Sequence, residues 1–381
     1  MKQGWEYKKL GEVCNITMGQ SPDGKSINDN EGVEFHQGKT CFGERTLGVS
    51  CLFSNAPVKL AEANSVLLCV RAPVGYPNIT NRKICIGRGL CALYAKENID
   101  NTFLFYSLLG KQSHFEKNAT GSTFKAISSK VISNTEIPFP PKSTQLSIVS
   151  ELDKINELIR LKKEQLKDYD NLAQSIFYEM FGDPVENEKG WEVKKWKEVF
   201  NTILGKMLDK SKQINHLKQY KYLANMNVQW GYFDLKELRS MTFTDEELAK
   251  YELRNNDLLI CEGGDAGRCA IWKETDETIL FQKAIHRARL IDTDNADVVY
   301  IRYWMQFYKV NKGLKDYISK STIEHLTGDK LKRLPIPLPP LPLQHLFAQR
   351  IEQIERQKSA VQKSITDLET ILASRMQYWF E

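Results

Sequence analysis

Two stretches of about forty residues constrain the fold most strongly, because each carries an unbroken, mainly apolar stripe with steps of four and three positions. The first stripe consists of Ile148, Leu152, Ile155, Ile159, Lys162, Leu166, Tyr169, Ala173, Ile176 and Met180. The second consists of Phe347, Ile351, Ile354, Lys358, Val361, Ile365, Leu368, Leu372, Arg375 and Trp379, each 199 positions after its counterpart. This heptad rhythm is typical of helices that press one seam against a partner helix. The sequence therefore predicts two long helices that pack on each other.

A second regularity is an internal repeat. The opening GWEYKKLGEVCNITMG at residues 4–19 returns as GWEVKKWKEVFNTILG at residues 190–205, and the following segments also have a second copy. These are VLLC (66–69) with LLIC (258–261), FLFY (103–106) with YIRY (300–303), Ser122-Thr123 with Ser321-Thr322, and IPFPP (137–141) with IPLPP (336–340). The offset only grows along the chain, from 186 to 199 positions, as loop insertions in the second copy would produce. The repeat therefore predicts two halves with a common fold.

The repeat and the stripes together predict the domain organisation. Residues 1–142 and 184–341 are interpreted as similar globular domains of mixed α and β structure, with short apolar runs bounded by Gly, Pro and Asn. Residues 143–183 and 342–381 are interpreted as spacer helices, each entered through a stiff proline cluster. Antiparallel pairing of these helices within the chain keeps the two halves equivalent. The predicted fold class is α+β, a pseudo-twofold arrangement around an intramolecular antiparallel coiled coil that places Met1 near Glu381.

Charge separates the globular parts from the helices. Residues 1–142 carry 17 Lys and Arg against 12 Asp and Glu, and residues 184–342 carry 26 against 23. The helical segments are acidic or neutral, with 5 against 8 in residues 143–183 and 5 against 5 in residues 343–381. This distribution favours a nucleic-acid partner for the globular domains and a protein partner for the helices. No apolar run is long enough to span a membrane and no signal segment opens the chain, so we expect a cytoplasmic protein without a membrane partner.

The motifs of common catalytic sites are mostly missing. Gly38-Lys39-Thr40 imitates a phosphate-binding loop, but the glycine required at position 33 is Val33. No glycine-rich cofactor loop and no Asn/Asp-Pro-Pro-Tyr/Phe motif occurs, and the six histidines are scattered. A zinc site built from Cys14, His36 and Cys41 stays an alternative, although its spacing fits no common pattern. We therefore expect no catalytic residues, no metal and no cofactor bound by this chain.

Polar and basic residues in the loops suit contact with DNA, where Arg, Lys, Gln and Ser/Thr read base edges or hold phosphates. The first domain offers Gln20, Ser21, Lys25, Gln37, Lys39, Arg71, Arg88, Ser122, Thr123 and Lys125. The second offers Lys206, Lys210, Lys212, Arg268, Lys283, Arg287, Lys320, Ser321 and Thr322. Any one of these could be an ordinary solvated side chain. Their placement at matching points of both copies favours the interpretation as a DNA interface.

The chain resembles the specificity subunit of type I restriction-modification systems. The residues that carry the resemblance are GWEYKKLGEV and GWEVKKWKEV, IPFPP and IPLPP with Gln145 and Gln344 four residues later, and the helix ends Phe181-Gly182-Asp183 and Trp379-Phe380. The order of recognition domain, helix, recognition domain and helix covers essentially the whole chain.

The resemblance implies a non-catalytic subunit in which each globular part is a target-recognition domain that binds one half of a bipartite double-stranded DNA target, while the helices set the spacing. Its partners would be two methyltransferase subunits and the restriction subunits, which translocate and cut DNA. Those partners, and not this chain, would use S-adenosylmethionine, ATP and Mg²⁺. Three alternatives stay open: a coiled-coil scaffold with protein-binding ends, the specificity module of a stand-alone methyltransferase, and an enzyme with a disguised active site.

Overall fold

The computed structural model describes residues 5–121, 125–207, 218–273, 275, 277–320 and 324–380, with the side chains of residues 319 and 320 excepted. The described chain divides into two compact units. The first unit comprises residues up to 164 together with those from 362 onward, and the second comprises residues 165–361. Each unit therefore contains a globular part and a segment of both long helices.

The first unit is built around a four-stranded antiparallel sheet with the order β2-β10-β7-β8. Its elements are β1 (Glu6–Lys9), α1 (Leu10–Val13), β2 (Cys14–Met18), β3 (Ile27–Asn28), β4 (Val33–His36), β5 (Phe53–Ser54), β6 (Leu60–Ala61), β7 (Val66–Cys69), β8 (Pro77–Ile79), β9 (Ile84–Ile86), β10 (Leu90–Ala95), α2 (Asn101–Gly110), α3 (Gln112–Lys117), α4 (Ser129–Asn134), β11 (Glu136–Phe139) and the start of the long helix α5 (Lys142–Phe181). Alternate residues of β7 are buried on opposite faces of the sheet, against α2 on one side and against the sheet that contains β9 on the other.

The second unit repeats this plan, with a four-stranded sheet of order β13-β19-β16-β17. Its elements are β12 (Glu192–Lys195), α6 (Trp196–Val199), β13 (Phe200–Leu204), β14 (Gln219–Leu223), β15 (Arg239–Thr242), α7 (Asp245–Tyr251), β16 (Leu258–Cys261), β17 (Cys269–Ile271), β18 (Ile279–Phe281), β19 (Ile285–Leu290), α8 (Val298–Val310), β20 (Ser319–Lys320), β21 (Glu324–His325), α9 (Gly328–Leu331), β22 (Pro335–Leu338) and the first part of α10 (Leu341–Phe380). The parallel pair β14–β18 corresponds to β4–β9 of the first unit.

The two repeated sequence ends pair with each other in each unit. The opening strand β1 pairs antiparallel with the proline-rich strand β11, and β12 pairs in the same way with β22. Just beyond these strands, a fully buried glutamine ties the start of each long helix to the globular part. Gln145 accepts a hydrogen bond from the Asp100 backbone N–H at 2.9 Å and donates to the Pro140 carbonyl at 2.9 Å. Gln344 makes the equivalent bonds in the second unit.

In the first unit, α5 and α10 pack antiparallel, since Glu151 contacts Arg375 while Lys163 contacts Glu369. The Arg375 guanidinium forms a bidentate ion pair with the Glu151 carboxylate, with 2.9 Å between Nη2 and Oε2. Trp379 donates to the same carboxylate at 3.2 Å and stacks on Trp5. The chain start and the end of α10 thus meet as expected, although Met1 and Glu381 themselves lie outside the described residues.

In the second unit, the same two helices also pack antiparallel and enter the main core. Phe177 of α5 lies against Phe347 of α10, with ring centroids 5.7 Å apart, and stacks on Tyr300 of α8 at 5.9 Å. Lys358, a charged member of the second stripe, pairs with Asp170 at 2.8 Å. The cations predicted at seam positions 358 and 375 are therefore neutralised across the helix pair of their own unit.

The predicted fold class is confirmed: two similar units of mixed helix and sheet, with two long helices that pack antiparallel. All twenty stripe residues are buried or half-buried. Among the described residues, no helix is long and apolar enough to cross a membrane.

Candidate nucleic-acid interface

Five segments of the first unit meet at one end of its central sheet, and they contain most of the DNA contacts predicted there. They are residues 19–21, 37–39, 70–72, 87–89 and 125–126, which we call the first loop edge. The turn 87–89 between β9 and β10 is its centre. Within this turn the Gly87 backbone N–H donates to the His36 carbonyl at 2.8 Å. The Gln20 backbone N–H donates at 2.9 Å to the carbonyl of Ile86, the residue just before the turn.

Two further contacts complete the first loop edge. The Val70 backbone N–H donates to the Gly89 carbonyl at 2.9 Å, and the Ala72 backbone N–H donates to the Lys125 carbonyl at 3.2 Å. The four bonds of the first loop edge join residues that are 19 to 66 positions apart in the sequence. The loop edge is therefore a product of strand pairing and not of sequence neighbourhood.

The side chains at the first loop edge are exposed and cationic. Those of Gln20, Gln37, Lys39, Arg71, Arg88 and Lys125 are exposed, and that of Ser21 is half-buried. In the part of the chain that the structure describes, no ion pair holds any of its four cations. Lys39 lies over the Tyr76 ring, 4.2 Å from its centroid. Lys25 is also exposed, but it lies in the separate turn Gly24–Ser26. Four exposed cations on one edge, with no ion-pair partner among the described residues, form a surface that suits a polyanion.

A partly buried polar network fixes β4, the strand that leads into Gln37. Arg82 donates to both carboxylate oxygens of Glu34 at 2.6 Å, and the Glu34 carboxylate also accepts from the Ser50 backbone N–H at 2.7 Å. Burial raises the pKa of Glu34, but the hydrogen bonds from Arg82, Ser50 and His36 outweigh it and lower this pKa to about 2. Burial lowers the pKa of His36 against the opposing pull of Glu34. His36 therefore supports the fold, and its predicted neighbours Gln37 and Lys39 project from a fixed strand end.

The second unit has an equivalent second loop edge, formed by residues 205–207, 224–226, 262–264, 282–284 and 324–326. The Lys206 backbone N–H donates to the Phe281 carbonyl at 3.2 Å, as that of Gln20 does to Ile86. The Glu262 backbone N–H donates to the Ala284 carbonyl at 2.8 Å. The bridge between Gly263 and His325 repeats the bridge between Arg71 and Ala126. Lys283 stands where Arg88 stands in the first unit, and its side chain is exposed.

Three cations predicted as DNA contacts in the second unit are engaged inside the fold. The Lys206 ammonium pairs with the Glu247 carboxylate at 2.5 Å. Partial burial raises the pKa of Glu247, but the hydrogen bond and the charge of Lys206 oppose burial, and this pKa is lowered overall. Arg268 donates to the Asn225 carbonyl at 2.9 Å. Arg287 is buried and donates to the Glu252 carbonyl at 2.7 Å, and burial lowers its pKa. Sequence reasoning chose these residues for their charge, whereas long-range contacts turn them inward.

The remaining predicted contacts are not placed. Ser122, Thr123, Lys210, Lys212, Ser321 and Thr322 lie outside the described residues, as does the side chain of Lys320. The alternative zinc set of Cys14, His36 and Cys41 does not come together, because among the described residues no three His, Cys, Asp or Glu side chains cluster as a metal ion would require. Sequence reasoning also missed Glu247, which neutralises Lys206. It likewise missed the exposed Met207 and Met226 of the second loop edge.

A glycine at the end of each repeated opening allows the central turn to approach. A Cβ atom at Gly19 would lie 2.1 Å from the Gly87 carbonyl oxygen, and one at Gly205 would lie 2.3 Å from that of Gln282. Both contacts are with backbone, which cannot step aside without moving the turn. The repeated glycine thus sets the position of Arg88 in one unit and of Lys283 in the other.

We expect Gly19→Ala to displace the turn 87–89 and to destabilise the first unit by about 1–3 kcal/mol, the usual range for overpacking. Urea unfolding would measure the loss of stability. Gly24→Ala is a matched control, because a Cβ there meets no heavy atom within 4 Å. Equal stability of the two variants would show that the close approach carries no cost.

The repeated architecture and its two loop edges can be compared with known proteins. The family model described as "Type I restriction modification DNA specificity domain" matches twice, at residues 2–168 and 188–370. The chain belongs to this specificity family. The family is the non-catalytic DNA-recognition component of restriction-modification complexes, and the expectation that the chain is not itself an enzyme agrees with this membership.

Individual members of the specificity family align over different extents. The putative type I restriction enzyme MjaX specificity subunit of Methanocaldococcus jannaschii is 38% identical over 178 residues, which cover 46% of this chain and only 42% of that relative. The MjaVIII specificity subunit of the same organism is 22% identical over 93% of this chain and 86% of its own length.

A solved structure described as the structural basis of complex assembly and conformational transition of the type I R-M system has a TM-score of 0.67, at 19% identity. The alignment covers 100% of this chain and 98% of that chain. This likeness shows a shared fold over the whole length of the specificity-family chain.

Proposed function

We propose that the chain is the DNA sequence-specificity subunit of a type I restriction-modification complex, in which each unit binds one half of a bipartite target through its loop edge. The observation that carries the proposal is the first loop edge itself, where four exposed cations with no ion pair to another described residue stand beside two exposed glutamines. Arginine and lysine suit guanine edges and phosphates, and glutamine suits adenine. A family membership that already means DNA specificity supports the same conclusion.

The long helices are proposed to set the distance between half-sites and to bind methyltransferase subunits, followed by restriction subunits. Apolar side chains on their outer faces support a protein partner. In the first unit Leu158 and Leu161 of α5 and Ile371 of α10 are 47%, 46% and 48% exposed, and in the second unit Leu172 is 46% exposed. Leu158 and Leu161 are three residues apart and therefore lie on one face of α5, where a paired apolar surface suits the contact of a further helix.

S-adenosylmethionine, ATP and Mg²⁺ are proposed to be used by the partner subunits, which carry out methylation, translocation and cleavage. This chain contributes the choice of DNA. Its sequence holds no nucleotide-binding loop of the standard pattern, and Gly38 and Lys39 form part of the first loop edge instead.

The test of this function begins with the target. Sequencing of modified bases in the DNA of a host that carries the chain and its methyltransferase subunits should reveal one motif of two specified halves around an unspecified gap. Replacing residues 1–142 by the equivalent domain of another family member should then change one half of the motif only. A change in both halves would refute the assignment of one unit to one half-site, and the absence of any motif would refute the function.

A further inference from the structure

The two loop edges have the same backbone plan but present different chemistry. At the second loop edge Met207 is 62% exposed and Met226 is 56% exposed. The first loop edge has Ser21 at the position equivalent to Met207, since Gln20 and Lys206 make the same backbone bond. The loop that contains Lys39 corresponds to the turn Asn225–Asn227, which contains Met226. Apolar side chains in the second unit thus stand where the first unit presents polar and basic ones.

Backbone hydrogen bonds place the two segments that carry the methionines on opposite sides of the turn 282–284, which contains Lys283. Lys283 donates to the Lys206 carbonyl at 2.7 Å, which brings Met207 to one side of the turn 282–284. Gln282 donates to the Leu223 carbonyl at 3.1 Å, which brings the turn with Met226 to the other side. The next segment of the edge carries Gly263 and Gly264, which have no side chain to cover the methionines.

Among the described residues, the cations near these methionines leave little charge for contact with an anion. Lys206 is neutralised by Glu247, Arg268 is turned to the Asn225 carbonyl, and Glu324 adds an exposed carboxylate. Of the described lysines and arginines at this edge, Lys283 is the one that is exposed without an ion pair. The described surface therefore consists of two methionines and one lysine. It suits a ligand that carries an apolar group next to a hydrogen-bond acceptor.

We propose that the second unit reads thymine through the 5-methyl group, with Met207 and Met226 as specificity-determining residues on either side of Lys283. This inference rests on the proposed function and deepens it for one half-site. The thymine methyl is the apolar feature of the major groove, and it lies beside the acceptor O4 that a lysine can contact. Methionine suits it, because its unbranched thioether adapts to the shape of a small apolar group.

The test replaces thymine by deoxyuridine, which removes only the methyl group, in one half of the target duplex at a time. The protein is the complex of the chain with its methyltransferase subunits, bound to the target found by sequencing of modified bases. We expect deoxyuridine to weaken binding about fourfold per contacted thymine in one half-site, since burying one such group contributes about 0.8 kcal/mol. Deoxyuridine in the other half-site should have a smaller effect.

The double variant Met207→Ala/Met226→Ala should bind the unmodified duplex more weakly and lose the sensitivity to deoxyuridine in that one half-site. Ile291→Ala is the matched control, because Ile291 is 59% exposed but follows the far end of β19 in the same unit. The control should keep both the affinity and the deoxyuridine effect.

The outcomes separate this inference from the proposed function. If the complex binds its bipartite target but the double variant keeps the full deoxyuridine effect, the methionine reading is wrong and the function stands. A half-site for the second unit that contains no thymine on either strand would overturn it equally. If no bipartite target is bound at all, both proposals fail.

Discussion

The triple variant Arg71→Ala/Arg88→Ala/Lys125→Ala is expected to bind its target about 10³-fold more weakly, in complex with its methyltransferase subunits. Each lost contact with a base or a phosphate costs about 1–3 kcal/mol, and these three side chains are exposed with no ion pair to another described residue. Fluorescence anisotropy with the labelled duplex at several salt concentrations would measure the loss. If all three hold phosphates, the slope of log affinity against log salt should fall by about 3.

A control with the same change of charge separates the loop edge from general electrostatics. Lys9, Lys83 and Lys96 are exposed cations of the same unit, and they lie beside the strand ends that are remote from the first loop edge. Replacing these three by alanine removes the same net charge. Comparable losses for the two triple variants would contradict a specific interface at the loop edge and leave only diffuse attraction.

Inserting four residues into both long helices is the second prediction with a large effect. Matched positions are after Glu164 in α5 and before Gln362 in α10, because α5 and α10 run antiparallel with paired positions such as Glu151 and Arg375. The insertion adds about 6 Å of helix, and base pairs lie about 3.4 Å apart. We expect the unspecified gap of the target to grow by one or two base pairs, and binding to the original target to fall about 10²-fold or more.

Sequencing of modified bases in cells that express the lengthened chain would give the new gap directly. An insertion into α5 alone serves as the comparison, since it shifts the seam against an unchanged partner helix and should lower the melting temperature. A gap that stays the same in the doubly lengthened chain would rule out the helices as the spacer.

The helices were the most predictable part of this molecule. Their stripes repeat over ten positions each, and a heptad pattern of that length depends only on local periodicity. The internal repeat predicted two similar units. The structure shows why certain residues are identical in both copies of the repeat. Residues such as Gly19 and Gln145, together with their counterparts, hold backbone contacts that have the same geometry in each unit.

The candidate interface was only partly predictable. The exposure of Arg71 and Arg88 and the burial of Arg287 follow from which strands pair and which loops cover them, and charge in the sequence does not determine this. Arg287 occupies the central strand β19, between Ile203 and Leu259, where the loop at Glu252 covers it. The methionines of the second loop edge carried no sequence pattern, because an exposed and a buried methionine look alike in a loop.

The division of the chain has a consequence for the order of folding during synthesis. The second unit is one continuous segment, whereas the first unit needs residues from 362 onward. Among these, Phe380 is buried beside Phe103, with ring centroids 5.4 Å apart, and it closes the core of the first unit. On a ribosome, the domain that is translated first therefore waits for residues made after the entire second unit. Until then its helix α5 exposes an apolar seam without a partner, which is the period in which this protein most needs protection from aggregation.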